Sequence, residues 1–324
     1  MPARILTPDS HSEDTLTIAR ELVPQGFELV TARHGSPEFL DLLKGAPFYI
    51  GVGQFKHGPE FYRAAPQLKL VQTLSAGYNT YDLEAARAAG VPICNNGGAN
   101  ATAVAEHAIL LMLAVARKLI WQHEGVVSGR WRGNDFHSTR LYELEDKVLG
   151  IIGLGNIGKK VARRAKAFDM RILYYDIRRL SVDEEDALGV RFALFTELLR
   201  SSDIVSLHVP LDRSTRHLID ARALSLMKRS AILINTCRGP VADEKALYEA
   251  LREEKILGAG IDVLEEEPPR PDHELFQLKN AVFTPHAAGP TWDNHWKRWR
   301  NAFDNIERVA RGEKPFWIVP ELRE

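Results

Sequence analysis

The stretch VLGIIGLGNIGKKVARRAKAFDMRILYYD, from Val148 to Asp176, carries three glycines in the spacing G-x-G-x-x-G. The apolar residues before the glycines predict a buried parallel strand, and those after them recur near the helical period. In such a strand–turn–helix unit, Gly153 permits the tight turn, Gly155 lets the backbone approach a pyrophosphate, and Gly158 allows close helix–strand packing. The free N–H groups at the start of the helix attract phosphate. The stretch therefore predicts a dinucleotide-binding unit.

Asp176 ends the second strand, 18 positions after Gly158. A carboxylate at this place accepts hydrogen bonds from the hydroxyls of the adenine ribose. It also repels the 2′-phosphate of NADP, so NAD (as NADH) is the expected cofactor. Arg178 and Arg179 follow closely and leave some use of NADP open. A purely structural turn requires neither the third glycine nor this acidic residue.

Length and composition indicate an ordinary globular protein. The chain has 324 residues, which favours two domains, and it is 45% hydrophobic and 26% charged. Its formal net charge of −1, with basic residues spread along the chain, gives no reason to expect nucleic acid or an anionic membrane as a partner.

Other sequence signals narrow the class of protein further. Cys94 and Cys237 lie far apart, so neither a disulfide framework nor a thiolate metal site is predicted, and no metal is expected. The N-terminus lacks the pattern of a signal peptide. The longest apolar run, from Ala108 to Ala116, is shorter than the about 20 residues that span a bilayer. The expected compartment is the cytoplasm.

Short apolar runs alternate with helical segments along the chain, which predicts an α/β protein with two parallel sheets. Between the two sets of strands, ANATAVAEHAILLMLAVARKLIW predicts one long bridging helix. The next 25 or so residues, beginning QHEGVVSGRWRG, are polar and irregular. Loops of that length are uncommon unless they are functional, so they form either an arm that packs on a second subunit or a surface excursion.

Three side chains follow apolar strands in the second half of the chain: Arg238, Glu267 and His286. Ligands of open parallel sheets bind at the carboxyl ends of the strands, so these residues are expected to converge beside the cofactor. A guanidinium pairs with a planar carboxylate, and an imidazole gives a proton to an oxygen while hydride reaches the carbon. A carboxylate beside the imidazole orients it and favours its protonated form. Taken singly, each is better explained as a solvated loop residue or a structural histidine, but their joint occurrence after the nucleotide-binding stretch favours a catalytic set.

Seven motifs together make the chain resemble the D-isomer-specific 2-hydroxyacid dehydrogenase family, in particular its hydroxypyruvate and glyoxylate reductases. They extend from about residue 65 to residue 289 and read LSAGYNTYDLEAARAAGVPICNN, AVAEHAILLMLAVAR, GIIGLGNIGKKVARRAKAFDMRILYYD, DIVSLHVPL, LINTCRGPVADEKAL, GAGIDVLEEEPP and VFTPHAAG.

The resemblance implies roles for individual residues. Arg238 would bind the substrate carboxylate and carbonyl, His286 would contact the substrate as proton donor or acceptor, and Glu267 would pair with His286. The backbone of Ser75, Ala76 and Gly77 would bind the substrate carboxylate. The residues implied to contact the cofactor are Gly153, Gly155, Asn156, Ile157, Gly158, Asp176, His208, Val209, Pro210, Thr236, Cys237 and Asp262.

The resemblance also implies a discontinuous layout. A flavodoxin-like substrate domain would comprise residues 1–99 and 288–324, and a Rossmann NAD-binding domain, residues 100–287, would be inserted into it. Both would be doubly wound parallel sheets, and two copies of the chain would form a homodimer. The Trp-rich segment that holds Trp292, Trp296 and Trp299 predicts a helix packed on the substrate domain, with Trp292 near the substrate as an alternative.

The expected activity is therefore the NAD-dependent, reversible reduction of a small 2-oxo acid to a D-2-hydroxy acid. Two alternatives use the same scaffold. One is a non-enzymatic regulator that senses NAD, and the other is a dehydrogenase for another small anion such as formate or phosphite. The residues discussed so far exclude neither.

Overall fold

The computed structural model describes residues 2–53, 55–133 and 135–323. They form twelve strands and twelve α-helices. The strands are β1 Ala3–Pro8, β2 Phe27–Ala32, β3 Phe48–Gly51, β4 Leu70–Thr73, β5 Ile93–Cys94, β6 Val148–Ile152, β7 Arg171–Tyr175, β8 Arg191–Phe192, β9 Ile204–Leu207, β10 Ile232–Asn235, β11 Gly258–Ile261 and β12 Ala281–Phe283. The helices are α1 Glu13–Leu22, α2 Pro37–Lys44, α3 Pro59–Ala64, α4 Leu83–Ala88, α5 Ala101–Ala116, α6 Leu119–Val127, α7 Asn156–Lys166, α8 Val182–Leu188, α9 Phe195–Ser201, α10 Ala221–Leu226, α11 Glu244–Arg252 and α12 Trp292–Ala310.

The chain divides into two compact units. The first joins Met1–Asn100 to Pro290–Glu324, and the second is Ala101–Gly289. Each unit is built on one parallel sheet, of five strands in the first and seven in the second. The predicted fold class, α/β with two parallel sheets, is confirmed.

The sheet of the first unit has the strand order β2-β1-β3-β4-β5, which is typical of flavodoxin-like folds. Its two faces are covered by separate apolar clusters. Trp299 on α12 is fully buried in one of them and stacks on Phe303, so α12 is anchored on this sheet. Trp292, by contrast, is 58% exposed, and Trp296 is also exposed, so only one of the three tryptophans packs as predicted.

The sheet of the second unit has the order β8-β7-β6-β9-β10-β11-β12, in which the chain direction across the sheet reverses between β6 and β9. This is the dinucleotide-binding arrangement, and the reversal marks the place where a ligand binds. All five residues of β6 are buried, and α5 and α7 cover one face of the sheet beside it. The glycine-rich turn between β6 and α7 therefore lies at the switch point.

The prediction of one long helix after residue 98 is wrong. The chain breaks between α5 and α6, because Lys118 adopts a left-handed conformation with φ of 48°. The side chain of Gln122 donates a hydrogen bond to the carbonyl of Arg117 at 2.6 Å, which satisfies a carbonyl released by the break. The irregular segment predicted from Gln122 begins instead after Val127, where α6 ends.

None of the helices formed by residues 2–53, 55–133 and 135–323 combines the length and the apolar character needed to cross a bilayer.

Candidate active site

The turn between β6 and α7 accepts only glycine at two of its three positions. Gly153 has φ of +92°, and a Cβ atom there would lie 2.7 Å from the carbonyl oxygen of His208. A Cβ atom at Gly158 would lie 2.2 Å from the carbonyl oxygen of Gly153. Both contacts are shorter than packing allows, so these glycines are required by the fold itself.

Gly155 differs, because a Cβ atom there would meet no atom within 4 Å. Protein packing therefore gives no reason for a glycine at this position, whereas a ligand in the open space does. Gly155 precedes α7, and no side chain caps this helix end. The first-turn N–H groups, among them those of Asn156 and Ile157, are thus available to an anion. The turn fits the pyrophosphate of a dinucleotide.

Asp176 is attached to this turn through its carboxylate. Its Oδ2 accepts a hydrogen bond from the Leu154 N–H at 2.6 Å, and its Oδ1 accepts one from the Arg178 N–H at 3.0 Å. The guanidinium of Arg179 lies 3.4 Å from Glu185 and rests on the ring of Phe192. The carboxylate of Asp176 is therefore fixed beside the glycines, while Arg179 is engaged elsewhere.

Two polar side-chain atoms at the carboxyl edge of the sheet are buried without a protein partner in the part of the chain that the structure describes. They are Nδ1 of His208, after β9, and Oγ1 of Thr236, after β10. Burial lowers the pKa of His208 to about 3, so the ring is neutral, and its Nε2 contacts Ser206 Oγ at 2.9 Å. Buried polar atoms are normally paired, so this edge fits a ligand with its own polar groups, as a dinucleotide has.

Val209 and Pro210 continue the chain directly after His208 at this edge. Cys237 follows Thr236, and its backbone N–H donates to Asn235 Oδ1 at 3.1 Å. Burial raises the pKa of the Cys237 thiol to about 11, so it stays protonated and unreactive at neutral pH.

His286 and Glu267 form a hydrogen-bonded pair. Nδ1 of His286 lies 2.7 Å from Oε2 of Glu267, and Oε1 of Glu267 accepts from the Leu264 N–H at 3.0 Å. Partial burial alone raises the pKa of Glu267, but the hydrogen bond and charge of His286, the hydrogen bond from the Leu264 N–H and the charge of Arg238 together lower it by more. The pKa of Glu267 therefore lies below its usual value, and this residue is an anion at neutral pH. Both side chains remain partly exposed.

Arg238 stands at the end of β10, and its guanidinium donates to the carbonyl of Cys237. The next residue, Gly239, presses against the loop that carries Glu267, since a Cβ atom at Gly239 would lie 1.9 Å from the carbonyl carbon of Leu264. The positive charge of Arg238 is close enough to contribute to the low pKa of Glu267. Arg238, Glu267 and His286 are thus neighbours within the second unit.

Asp262 holds the loop on which His286 sits. Its carboxylate is 2% exposed and accepts hydrogen bonds from Thr284 Oγ1 at 2.5 Å, the Ala287 N–H at 2.8 Å and the Ala288 N–H at 3.1 Å. The backbone N–H of His286 donates to the carbonyl of Asp262 at 2.8 Å. These bonds keep His286 in a left-handed conformation with φ of 54°, which is uncommon outside glycine.

The sequence interpretation missed this structural role of Asp262. It also did not predict the contacts of His107, whose Nε2 lies 2.9 Å from Thr284 Oγ1 and 3.6 Å from Asp262 Oδ1. Because 177 positions separate His107 from Thr284, no local pattern could have paired them. The predicted contact of Asp262 with nicotinamide stays a prediction.

The loop Ser75–Gly77 belongs to the first unit, after β4. Two of its three carbonyls accept hydrogen bonds from the protein: Ser75 O accepts from the Asn96 N–H at 3.0 Å, and Gly77 O accepts from Ser75 Oγ at 2.6 Å. Within the described chain, the N–H groups of Ala76 and Gly77 donate to no protein acceptor. A loop whose N–H groups are unpaired is suited to an anion.

Among residues 2–53, 55–133 and 135–323, no cluster of three histidine, cysteine or acidic side chains is arranged to hold a metal ion.

Comparison with known proteins identifies the family. Residues 109–288 match the model of the D-isomer specific 2-hydroxyacid dehydrogenase, NAD binding domain. A glyoxylate reductase of Korarchaeum cryptofilum (strain OPF8) is 42% identical over 259 residues, which are 79% of this chain and 77% of that protein. This chain belongs to the D-isomer specific 2-hydroxyacid dehydrogenase family.

Two further members extend the likeness over the whole chain. A glyoxylate reductase of Aeropyrum pernix is 36% identical over 314 residues, covering 92% of this chain and 93% of that protein. The crystal structure of a glyoxylate reductase from Paecilomyes thermophila superposes with a TM-score of 0.85 at 30% identity, and the match covers both chains completely.

Membership of this dehydrogenase family confirms the resemblance found in the sequence. The chain is an NAD-dependent oxidoreductase of the 2-hydroxyacid dehydrogenase type, and its second unit contains the NAD-binding domain. The enzymatic interpretation is thereby confirmed.

The role of Asp262 in this dehydrogenase can be tested with Asp262→Asn. An amide cannot accept from all three donors, so at least one buried N–H or O–H group loses its partner. We expect the free energy of unfolding in urea to fall by about 1–3 kcal/mol and kcat to fall with it, because the loop of His286 loosens. The exposed Asp272→Asn is the matched control. If Asp262→Asn had unchanged stability and only a higher KM for NADH, Asp262 would bind the cofactor and would not stabilise the loop of His286.

Proposed function

We propose that this dehydrogenase reduces a small 2-oxo acid to the D-2-hydroxy acid, and catalyses the reverse reaction. The observation that carries the proposal is the Glu267–His286 pair, 2.7 Å apart, beside Arg238 in an NAD-binding unit. The relatives named glyoxylate reductase support a small substrate. No observation favours formate or phosphite.

The three residues divide the chemistry between them. When bound, NADH supplies the hydride that the substrate carbon receives. Arg238 binds the substrate carboxylate and polarises the carbonyl, since a guanidinium fork matches a planar carboxylate. His286 gives its proton to the carbonyl oxygen during reduction and takes it back during oxidation.

Glu267 keeps His286 ready for this step. Because the pKa of Glu267 is lowered, it remains an anion and holds Nδ1–H of the imidazole. This leaves Nε2 to exchange the proton with the substrate oxygen. The backbone of His286, fixed by Asp262, limits rotation of the ring away from that position.

The remaining predicted contacts belong to the same proposal. The Ala76 and Gly77 N–H groups, which have no acceptor within the described residues, bind the substrate carboxylate together with Ser75. The proposed cofactor contacts are Gly153, Gly155, Asn156, Ile157 and Gly158 for the pyrophosphate, Asp176 for the adenine ribose, His208, Val209 and Pro210 for the adenosine side, and Thr236, Cys237 and Asp262 for the nicotinamide.

Asp176 predicts a preference for NADH over NADPH. Its fixed carboxylate repels a 2′-phosphate, so we expect kcat/KM to be about tenfold or more higher with NADH. Asp176→Asn keeps a hydrogen-bond acceptor beside Leu154 but removes the charge. This variant should therefore have a smaller ratio of kcat/KM with NADH to kcat/KM with NADPH. Steady-state kinetics with both cofactors measure this. Equal efficiency of the wild type with NADPH would contradict the prediction and point to Arg178.

The acid–base pair predicts a pH dependence. Reduction needs the protonated imidazole, and the anion of Glu267 stabilises that form. In Glu267→Gln the charge is absent, so the basic limb of the pH profile of kcat/KM for reduction should move to lower pH by roughly one unit. The neighbouring, exposed Glu266→Gln should leave the profile unchanged. Superimposable profiles for wild type and Glu267→Gln would show that Glu267 does not tune the acid.

We also infer a homodimer that forms through α6. This helix leaves Leu119, Ile120, Val126 and Val127 exposed at heptad spacing, and Trp131, just beyond it, is 79% exposed. An apolar stripe of this kind is typical of a protein interface.

Sedimentation equilibrium should give twice the chain mass of 36.4 kDa, and Val127→Asp should shift the protein toward monomer. Val182→Asp, which changes another exposed valine on α8, is the control. A monomeric wild type at micromolar concentration would overturn the inference.

A further inference from the structure

A second carboxylate, that of Glu244 at the start of α11, holds the loop that carries Glu267. Oε1 of Glu244 accepts a hydrogen bond from the Glu265 N–H at 2.5 Å. In return, Oε1 of Glu265 accepts one from the Glu244 N–H at 3.3 Å. Each residue therefore uses its side chain to bind the backbone of the other, and we call this arrangement the Glu244–Glu265 clamp. It lies entirely within the second unit.

Two histidines flank the clamp, one at each carboxylate. Nε2 of His217 lies 2.9 Å from Oε1 of Glu265. Nε2 of His273 lies 3.3 Å from Oε2 of Glu244. Because Nδ1 of His273 accepts from the Leu275 N–H at 3.3 Å, the proton of this ring is on Nε2 and is donated to Glu244. Both oxygens of Glu244 are thus engaged, and this fixes the direction of its carboxylate.

The N–H groups of two consecutive residues connect the clamp to Glu267. Glu265 follows directly after Leu264, whose N–H donates to Oε1 of Glu267 at 3.0 Å. The other oxygen of that carboxylate, Oε2, lies 2.7 Å from Nδ1 of His286. A displacement of the Glu265 N–H therefore also displaces the donor that orients Glu267.

The backbone at Leu264 and Glu265 is closely packed on one side. A Cβ atom at Gly239 would overlap with the carbonyl group of Leu264 and with the backbone nitrogen of Glu265. Without the clamp, this backbone could consequently move only away from Gly239. Such a movement would carry the Leu264 N–H away from the place where it now holds Glu267.

Fold stability does not explain a carboxylate at position 244. Burial and the charge of Glu265 raise the pKa of Glu244 by more than the Glu265 N–H and His273 lower it. An acid whose pKa is raised by folding binds its proton more tightly in the folded state, so above its usual pKa the anion destabilises the fold. A destabilising group of this kind is expected where it serves an active site.

We propose that Glu244 and Glu265 are positioning residues for the acid–base pair, and that their clamp keeps Glu267 at hydrogen-bond distance from His286. The inference rests on the proposed function, in which His286 exchanges the proton with the substrate. Both residues act through the backbone at Leu264. When the clamp is lost, the carboxylate of Glu267 moves away from His286 and supports the protonated imidazole less well.

The test compares Glu244→Ala with Glu244→Gln in the reduction of glyoxylate by NADH. Both variants remove the same charge, but the glutamine keeps an oxygen that can accept from the Glu265 N–H. We expect Glu244→Ala to lose about tenfold in kcat, because the acid is misplaced. The basic limb of its pH profile of kcat/KM should move to lower pH by up to roughly one unit.

The other variants have distinct expected results. Glu244→Gln should stay closer to the wild type in both kcat and the pH profile. Glu265→Ala, which removes the reciprocal acceptor, should resemble Glu244→Ala. The exposed Glu274→Gln removes a charge of the same sign and should match the wild type. Circular dichroism and melting temperature establish that the variants are folded.

A double variant tests whether the effect passes through Glu267. In Glu267→Gln the charge that the clamp positions is already absent, so adding Glu244→Ala should not move the basic limb further. The other charged groups near the pair stay unchanged: Arg238, which faces Glu267, and Asp262, behind the loop of His286.

Three kinetic results would overturn the inference. The first is a wild-type pH profile in Glu244→Ala. The second is an equal shift in Glu244→Ala and Glu244→Gln, which would make the charge of Glu244 the cause. The third is an additive shift in the double variant, which would show that Glu244 does not act through Glu267.

A measurement without substrate separates this inference from the proposed function. Protonation of His286 is followed by NMR through its Cε1–H resonance, which is assigned by its absence from His286→Gln. The titration midpoint should lie at lower pH in Glu244→Ala than in the wild type and Glu244→Gln. A lower midpoint without reduction of any 2-oxo acid would refute the proposed function but support the clamp. An unchanged midpoint would refute the clamp whatever the activity.

Discussion

The buried carboxylate of Asp262 is the constraint on which the proposed catalytic centre depends. A carboxylate removed from water is costly unless hydrogen bonds compensate it, and here Thr284, Ala287 and Ala288 supply three. The donors span the loop that contains His286, so satisfying the carboxylate also sets the course of this loop. Its left-handed turn at His286 directs the imidazole toward Glu267. The acid–base pair is thus a consequence of a buried charge one strand away.

Buried polar groups that are paired within the protein and buried polar groups that lack a protein partner have different roles. Asp262 is fully engaged with protein, which makes it part of the scaffold. His208 Nδ1 and Thr236 Oγ1 have no partner within the described residues, although protein surrounds them. Groups of the second kind cost free energy in the absence of ligand, and a ligand that pairs with them recovers it. Both atoms lie at the carboxyl edge of the second sheet, where the polar groups of a dinucleotide fit.

Local features of the sequence predicted much of this. The glycine spacing, the apolar strands and Asp176 all act within about thirty residues, and each has a direct physical cause in the turn that they form. Arg238, Glu267 and His286 were found because parallel strands bring their carboxyl ends to one edge. The contact between His107 and Thr284 joins distant segments, so no period or spacing in the sequence predicts it. The break at Lys118 was missed because an apolar pattern continues across it, whereas the backbone conformation of a single residue redirects the chain.

The central claim is that hydride passes from NADH to C2 of a 2-oxo acid while His286 protonates the oxygen. It is tested most directly by supplying NADH that carries deuterium at the transferred C4 position, together with oxaloacetate or 2-oxobutyrate. Chiral chromatography with mass spectrometry then identifies the product. The account predicts a D-2-hydroxy acid with one deuterium at C2. A product of L configuration, a product without deuterium, or oxidation of NADH without any hydroxy acid would contradict it.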